Sequence, residues 1–228
     1  SLRQNINKGV EKLGTDMMYV QHWPWSFGGE EYAWWEYLKR PVMTYDEYRL
    51  LHEKLDLAEG VAIENWFNSR EVKFRDRSVR NVTVSSVSED YDKVYAMNYE
   101  EGRYFSPVES ASGAAVALIG YEVAQKLFPS GVTAVGKHIW VLGQKVKVVG
   151  VIEKEGESLM DISQDNNILI PYNYARRTID MNGPGIDPAV EIKPLPGVTA
   201  TEIKDQIIPI LRNSRKLDPR EPNDFAIN

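Results

Sequence analysis

The clearest run of apolar and polar positions lies near the middle of the chain. Residues Ala114–Ile119 are almost all apolar and are followed by Gly120, a pattern typical of a buried strand. Apolar residues then recur at four-residue spacing over Val123–Phe128, which predicts a helix with one buried face. Pro129 and Gly131 are expected to end that helix.

Two alternating segments follow and predict a hairpin. Lys137–Leu142 and Lys145–Ile152 are predicted strands whose successive side chains point to opposite faces, and Gly143-Gln144 is the predicted turn between them. Strict alternation places Val146, Val148 and Ile152 on one side of the second strand and Val151 on the other.

The first third of the chain combines helix and strand signals. Residues 1–16 have sparse apolar positions at helical spacing, and Met17–Trp23 predicts a strand. Thr44 and Glu47 form a capping box that starts a helix expected to reach about Leu57 and to end near Gly60. A strand (Val61–Asn68), a hairpin (Glu71–Arg75 and Val79–Val87, joined around Asp76-Arg77) and a helical turn (Ser88–Val94) are predicted next.

The last third begins with a polar loop after Glu153. It continues with a predicted strand over Asn167–Pro171 and a short helix over Tyr172–Thr178. Ala189–Lys193 predicts another strand, and Asp224–Ile227 a final one. Between these two lies a helix that starts with the capping residues Thr199 and Glu202, has an apolar stripe of Ile203, Ile207, Ile210 and Leu211, and contains Pro209, which is expected to kink or shorten it.

This order of elements predicts an α+β fold. Two βα units, Met17–Val61 with its hairpin and Ala189–Ile227, frame the chain and enclose a strand-rich stretch. The predicted division is a discontinuous subdomain of residues 1–86 plus 165–228, with a second, β-rich subdomain of residues 87–164 inserted into it.

Composition narrows the class of protein. The 228 residues are 43% hydrophobic and 26% charged, as in an ordinary folded protein, and the net charge of -6 argues against nonspecific nucleic-acid binding. The chain has no cysteine, which excludes disulfides and thiolate chemistry. No window approaches the roughly 20 apolar residues that span a bilayer.

Catalytic motifs are missing. The sequence has no Walker motif, no Gly-x-Ser-x-Gly, no His-Glu-x-x-His and no Gly-x-Gly-x-x-Gly after a strand, so we expect no ATPase, catalytic, cofactor or metal site. His52 has no partner at ligand spacing and is expected to be solvated or hydrogen-bonded. The acids Asp90, Asp92, Glu100 and Glu101 lack the order of a calcium loop, and five acids of the polar loop could bind a cation but more often keep a loop soluble: Glu153, Glu155, Glu157, Asp161 and Asp165.

Two surface features have open interpretations. The segment from Gln21 to Tyr37 is dense in aromatic residues, which either fold onto the protein's own core or form a contact surface for protein, lipid or sugar. A basic group on the predicted hairpin either meets acidic headgroups or is an ordinary exposed face: Arg70, Lys73, Arg75, Arg77 and Arg80. The residues predicted for the aromatic contact surface are Trp23, Trp25, Trp34 and Trp35.

Several short segments together resemble a known family over Val87–Tyr172. They are Gly102-Arg103-Tyr104-Phe105, Val116-Ala117-Leu118-Ile119-Gly120, Leu127-Phe128, Val135-Gly136-Lys137 and Val148-Val149-Gly150-Val151. In this order and spacing they resemble the MacB-like periplasmic core domain of ABC transporter permeases, the FtsX-like group that includes the LolC/LolE type.

The resemblance implies a membrane-proximal, Porter-like subdomain with an inserted Sabre-like one. It also implies a noncatalytic extracytoplasmic domain of an inner-membrane permease that contacts substrate or a partner and transmits ATP-driven motion in export or lipoprotein release. The implied partners are an ABC ATPase and flanking membrane helices of the same transporter, with a periplasmic adaptor and a homodimer or heterodimer of permeases as further candidates. A chain that begins with Ser1 fits an excised segment of such a permease, and equally a mature secreted protein.

Two other hypotheses remain at this stage. One is a secreted glycan- or protein-binding module that uses the tryptophan-rich segment 23–37. The other is a hydrolase with dispersed carboxylates, which would require a cleft that holds two neighbouring acids.

Overall fold

The computed structural model describes residues 17–25, 34–156 and 163–228. The predicted helix over residues 1–16, part of the aromatic segment, and the loop acids Glu157 and Asp161 lie outside these residues.

The elements are short except for one long strand pair. The strands are β1 (Met18–Gln21), β2 (Ala58–Phe74), β3 (Arg77–Val87), β4 (Tyr99–Gly102), β5 (Val116–Ile119), β6 (His138–Val141), β7 (Gln144–Ile152), β8 (Asn167–Pro171), β9 (Ala189–Pro194) and β10 (Ala226–Ile227). The helices are α1 (Trp34–Leu38), α2 (Tyr45–Lys54), α3 (Tyr91–Val94), α4 (Pro107–Ser112), α5 (Tyr121–Leu127), α6 (Tyr172–Thr178) and α7 (Ala200–Ser214).

In the described residues the strands join in one mixed sheet, in the order β10-β1-β9-β2-β3-β8-β5-β7-β4, with β6 pairing both β2 and β7. The first and last strands are antiparallel neighbours, with Val20 opposite Ile227. The content of 27% helix and 34% strand confirms the predicted α+β class. β3 and β8, which flank the predicted insertion, pair in parallel, and the division into two subdomains stays a prediction.

Helices cover parts of both faces of the sheet. On one face α2 and α7 bury Leu51, Ile203 and Ile207 against β1, β9 and β2. Further along the sheet a second cluster packs α5 and α6 against β3, β5, β7 and β8, around residues such as Val123, Leu127 and Ala175. The third cluster includes α3 and residues of β5, β7 and β8 that point the other way, such as Leu118. Burial of these faces is the main stabilising term of the fold.

Capping residues begin α2 and α7 as predicted. Thr44 and Glu47 form a complete capping box on α2, and Thr199 accepts a hydrogen bond from Glu202 at the start of α7. Pro209 lies inside α7, which continues past it to Ser214. The structure adds α4, which was missed from the sequence although Ser106 and Glu109 form a capping box there as well.

Several predicted boundaries were wrong by a few residues, and the predicted strands Val61–Asn68 and Glu71–Arg75 are one strand, β2. α2 ends at Lys54 rather than near Leu57, and Gly60 lies inside β2 rather than after the helix. Both hairpin turns fall one residue earlier than predicted, at Arg75-Asp76 and at Leu142-Gly143. Leu142 and Gly143 both have positive φ, 51° and 72°, as a two-residue turn between twisted strands requires.

A β-bulge overturns the predicted faces of β7. Ala117 pairs with Val148 but Leu118 pairs with Gly150, so the strand contains one extra residue at this point. An extra residue reverses the alternation beyond it. Val151 therefore packs with Val146 and Val148, whereas Ile152 lies on the opposite face with Val149.

Candidate functional site

A pocket of about 360 Å³ lies at the end of the sheet where β9 begins. β9 starts at Ala189, opposite Glu64 of β2, and β1 ends at Gln21. β2 continues beyond Glu64, so its next residues stand beside the chain that leaves β1. The lining residues are Gln21, Trp23, Trp25, Asn65, Trp66, Asn68, Gly185 and Asp187.

The two tryptophans after β1 are held in place by their neighbours. The Trp25 indole N–H donates to Gln21 Oε1, and the Trp25 backbone N–H donates to Asn228 Oδ1 at 2.8 Å. Asn228 in turn donates from Nδ2 to the Trp23 carbonyl at 3.2 Å. The Trp23 ring stacks on His22, with 5.6 Å between ring centroids and nearly parallel planes. The pocket wall is therefore tied to both the first and the last strand.

Three of the four tryptophans of the predicted contact surface are exposed. Trp23 is 36% exposed, Trp25 53% and Trp35 54%, so these side chains do not fold into the core. Trp23 and Trp25 line the pocket together, while Trp35 lies on α1 and does not line it. Trp34 begins α1, and its side chain lies outside the described structure. That these residues form a contact surface stays a prediction.

The polar side of the pocket centres on Asn65 and Asp187. The Asp187 backbone N–H donates to Asn65 Oδ1 at 3.0 Å, and the Asp187 carboxylate contacts His22 Nδ1 at 2.9 Å. Asn65 is 1% exposed, and its Nδ2 has no hydrogen-bond partner. Burial raises the pKa of the Asp187 carboxyl despite the nearby His22. The site thus contains an unsatisfied buried donor beside exposed aromatic rings.

Sequence reasoning identified Trp23 and Trp25 but missed the rest of this site. Asn65 and Trp66 lie in a strand whose pattern indicates only a strand, and Asp187 lies in a turn-rich linker. The signal available in the sequence was the aromatic composition of residues 21–37. The three segments that line the pocket, 21–25, 65–68 and 185–187, are far apart in the chain and meet only through strand pairing.

The other predicted candidates have structural partners. His52 Nε2 lies 2.6 Å from Asp90 Oδ2, which confirms a hydrogen-bonded histidine. Asp165 accepts the backbone N–H groups of Glu155 and Gly156 at 2.8 and 2.9 Å, so it organises the polar loop. In the part of the chain that the structure describes, no group of three or more metal-binding side chains is present.

Two buried carboxyl groups, those of Glu64 and Glu191, lie on the same face of the sheet. Glu191 of β9 and Glu64 of β2 are 1% and 3% exposed and hydrogen-bond each other. Burial raises the pKa of both, and the charge of Glu64 raises the pKa of Glu191 further. Both shifts favour a proton shared within the pair over two charged carboxylates. Neither residue is among the residues that line the pocket beside β9, so the pair is separate from that site.

Replacement of Glu191 by glutamine is expected to stabilise the protein at alkaline pH. Because the folded-state pKa is raised, the contribution of the pair to stability is complete below the unfolded value of about 4.3 and is lost as the pH rises through the folded pKa. An amide keeps the hydrogen-bond donor and cannot ionise. We expect Glu191→Gln to raise the free energy of unfolding relative to wild type by about 1–3 kcal/mol at about pH 8 and much less at about pH 5, measured by urea denaturation.

The control is Glu53→Gln, at an exposed carboxylate on α2. Its difference from wild type should stay near zero at both pH values. A Glu191→Gln effect that does not change with pH would contradict the shared proton.

Comparison with known proteins identifies the class. Over 99% of its length the chain superposes on the periplasmic region of MacB from Actinobacillus actinomycetemcomitans, with a TM-score of 0.73, 16% identity and 94% of that chain covered. It also superposes on the extracellular domain of the noncanonic ABC-type transporter YknZ from Gram-positive bacteria, with a TM-score of 0.67, 18% identity, and 93% and 99% of the two chains covered. These similarities show a shared fold.

The family model of the MacB-like periplasmic core domain matches residues 1–210, and the chain belongs to this family. The resemblance inferred from the sequence is thereby confirmed, and the chain is a periplasmic domain of an ABC transporter permease of the MacB type. The described residues contain no helix with the length and apolar character needed to cross a bilayer.

Curated relatives are much longer than this chain. The pyoverdine export ATP-binding/permease protein PvdT of Pseudomonas savastanoi pv. phaseolicola is 45% identical over 75 residues, 33% of this chain and 11% of the relative. The macrolide export ATP-binding/permease protein MacB of Marinobacter nauticus is 26% identical over 172 residues, 75% of this chain and 25% of the relative. The matched part is therefore a quarter or less of these proteins.

Proposed function

We propose that this domain transmits the ATP-driven motion of an exporter on the periplasmic side of the membrane. There it contacts substrate or a partner. The ATPase and the flanking membrane helices would belong to the same transporter. A periplasmic adaptor and a second permease copy, identical or related, are further candidate partners. The relatives named as export ATP-binding/permease proteins support the transport role.

The observation that carries the proposal is the continuity of the sheet. β1 and β10 pair at one end of the strand order, so the chain enters β1 and leaves β10 side by side. From there, hydrogen-bonded strands lead through β9, β2 and β3 to β8, β5 and β7. A paired sheet with cores on both faces moves as a rigid body. A displacement at β1 and β10 would therefore reach β5 and β7 undiminished.

The test measures movement directly and needs no identified substrate. In the complete permease, reconstituted in nanodiscs, a fluorophore on Val108→Cys would report the distance to acceptor-labelled lipids. Val108 is 75% exposed, and the chain has no cysteine of its own. We expect the distance to change by several ångströms between the nucleotide-free state and the state trapped with ATP and vanadate.

The control separates rigid-body movement from deformation of the domain. A donor and acceptor pair on Val108→Cys in α4 and Asp205→Cys in α7, both exposed, should keep a constant distance in the two states. An unchanged distance to the lipids would refute the transmission of motion. A change confined to the pair within the domain would refute the rigid body.

A further inference from the structure

The pocket beside β9 has the composition of a ligand site rather than of a surface irregularity. Three indole rings and three side-chain amides line it, together with the carboxyl of Asp187. Among the described residues that line it there is no lysine or arginine, and this lining offers no positive charge to an anionic ligand.

The buried amide of Asn65 favours a ligand that supplies a hydrogen-bond acceptor. Its Oδ1 accepts from the Asp187 backbone, whereas its Nδ2 is buried without a partner. An unsatisfied buried donor destabilises the protein, and a ligand acceptor that bonded it would remove that cost. An ammonium ligand has donors only, and a purely apolar ligand has no acceptor, so neither can satisfy this group.

The aromatic walls are rigid and accessible at the same time. Trp23 is covered on one side by His22 but remains 36% exposed, and Trp25 is fixed by Gln21 and Asn228 while 53% exposed. A ligand that packs on these rings therefore loses little of its binding energy to ordering the protein. Rigid aromatic faces favour flat, partly apolar ligands.

We propose that this pocket binds a small neutral saccharide. A pyranose ring presents C–H groups to indole faces and hydroxyls that both donate and accept hydrogen bonds. Hydroxyls would meet the amides of Gln21 and Asn68, which line the pocket. One would reach Asn65 Nδ2 after a shift of the lining side chains, because this atom is closed to a water-sized group in the structure. The volume of about 360 Å³ lies at the lower end of the range for ligand pockets and suits a monosaccharide or disaccharide.

This inference does not depend on a role in transport. It assigns a ligand class to Trp23 and Trp25 through the residues that surround them, and it would hold for the isolated domain as well as for a complete permease.

The test is calorimetric titration of the 228-residue chain with glucose, N-acetylglucosamine, cellobiose, maltose and N,N'-diacetylchitobiose, and with tetramethylammonium chloride as the cationic probe. We expect at least one saccharide to bind and tetramethylammonium not to bind. Trp25→Ala should weaken saccharide binding about tenfold or more, because it removes a stacking face. Asn65→Leu should do the same by removing the buried donor.

The matched control is Trp140→Ala. Trp140 is 51% exposed on β6 and is not among the lining residues, so this variant should bind as wild type does. Circular dichroism verifies that each variant is folded, and Trp25→Ala, at an exposed side chain, keeps the test valid if Asn65→Leu does not fold. The proposal is overturned if no saccharide binds at tens of millimolar, if Trp25→Ala leaves saccharide affinity unchanged, or if only tetramethylammonium binds.

Discussion

Replacement of Arg215 by alanine is expected to lower the free energy of unfolding by about 3–5 kcal/mol. Arg215 follows α7, and its Nε and Nη2 donate to the two carboxylate oxygens of Glu47 at 2.7 and 3.2 Å. Its Nη1 donates to Asp224 Oδ1 at 2.9 Å. The side chains of Arg215 and Glu47 are only 8% and 9% exposed, so the alanine variant leaves a buried carboxylate without its partner.

The size of this effect follows from the position of the ion pair. Glu47 belongs to the first turn of α2, where its Oε1 also accepts from the Thr44 backbone N–H at 3.1 Å. Asp224 precedes β10, so one guanidinium joins two helices and the last strand of the sheet. An exposed ion pair contributes at most about 1 kcal/mol, but removal of one partner of a buried pair leaves the desolvation cost of the other uncompensated.

Urea denaturation followed by tryptophan fluorescence measures the loss, and the slope of the transition should stay the same. Arg220→Ala, at an exposed arginine a few residues further on, is the control and should change stability by less than about 0.5 kcal/mol. Addition of Glu47→Gln to Arg215→Ala should restore part of the stability, because the remaining partner is then neutral. Equal effects of Arg215→Ala and Arg220→Ala would show that the buried pair adds nothing.

Replacement of Gly120 by alanine is expected to cost at least about 3 kcal/mol. A Cβ at this position would lie 1.9 Å from the Gln164 carbonyl oxygen and 2.6 Å from that of Asp165. Both obstacles are backbone atoms and cannot rotate away. The conformation of Gly120, with φ of −69° and ψ of 160°, is open to any residue, so space alone requires the glycine.

The close approach of Gln164 and Asp165 to Gly120 brings backbone hydrogen-bond partners to the start of α5. The Gly120 N–H donates to the Asn167 carbonyl at 2.8 Å, and the Asp165 carbonyl accepts from Glu122 and Val123 at 2.9 and 3.3 Å. The segment before β8 therefore caps α5 with its own backbone, which replaces a side-chain cap. A methyl group would push the two segments apart and break these hydrogen bonds together.

The control for Gly120→Ala is Gly143→Asn. Gly143 has a positive φ of 72°, but a Cβ at this position would meet no atom within 4 Å, and asparagine tolerates such a φ. We expect this variant to lose less than about 1 kcal/mol, measured by thermal and urea unfolding. A similar loss for both variants would contradict the assignment of the cost at Gly120 to lack of space.

These glycines explain why a family resemblance was visible in the sequence. Gly102, Gly120 and Gly150 all belong to the matching segments, and a Cβ at each would lie under 3.0 Å from backbone atoms of a neighbouring segment. Where two backbones approach this closely, glycine is the only residue that fits. The glycines at these positions were therefore visible in the sequence as part of short motifs. The core strands and the capping residues of α2 and α7 were also predictable, because local chemistry determines them.

The sequence by itself determined the α+β class, the family, and the main strands and helices. The structure decided that Trp23 and Trp25 are exposed, a point that the sequence left open. Tertiary structure alone decided which faces of β7 are buried, because the bulge at Val149 arises from pairing with β5 and leaves no local signal. It also decided the pairing of Glu64 with Glu191 and the meeting of Trp25, Trp66 and Asp187 in one pocket. These residues come from segments far apart in the chain, and the order and register of the strands bring them together.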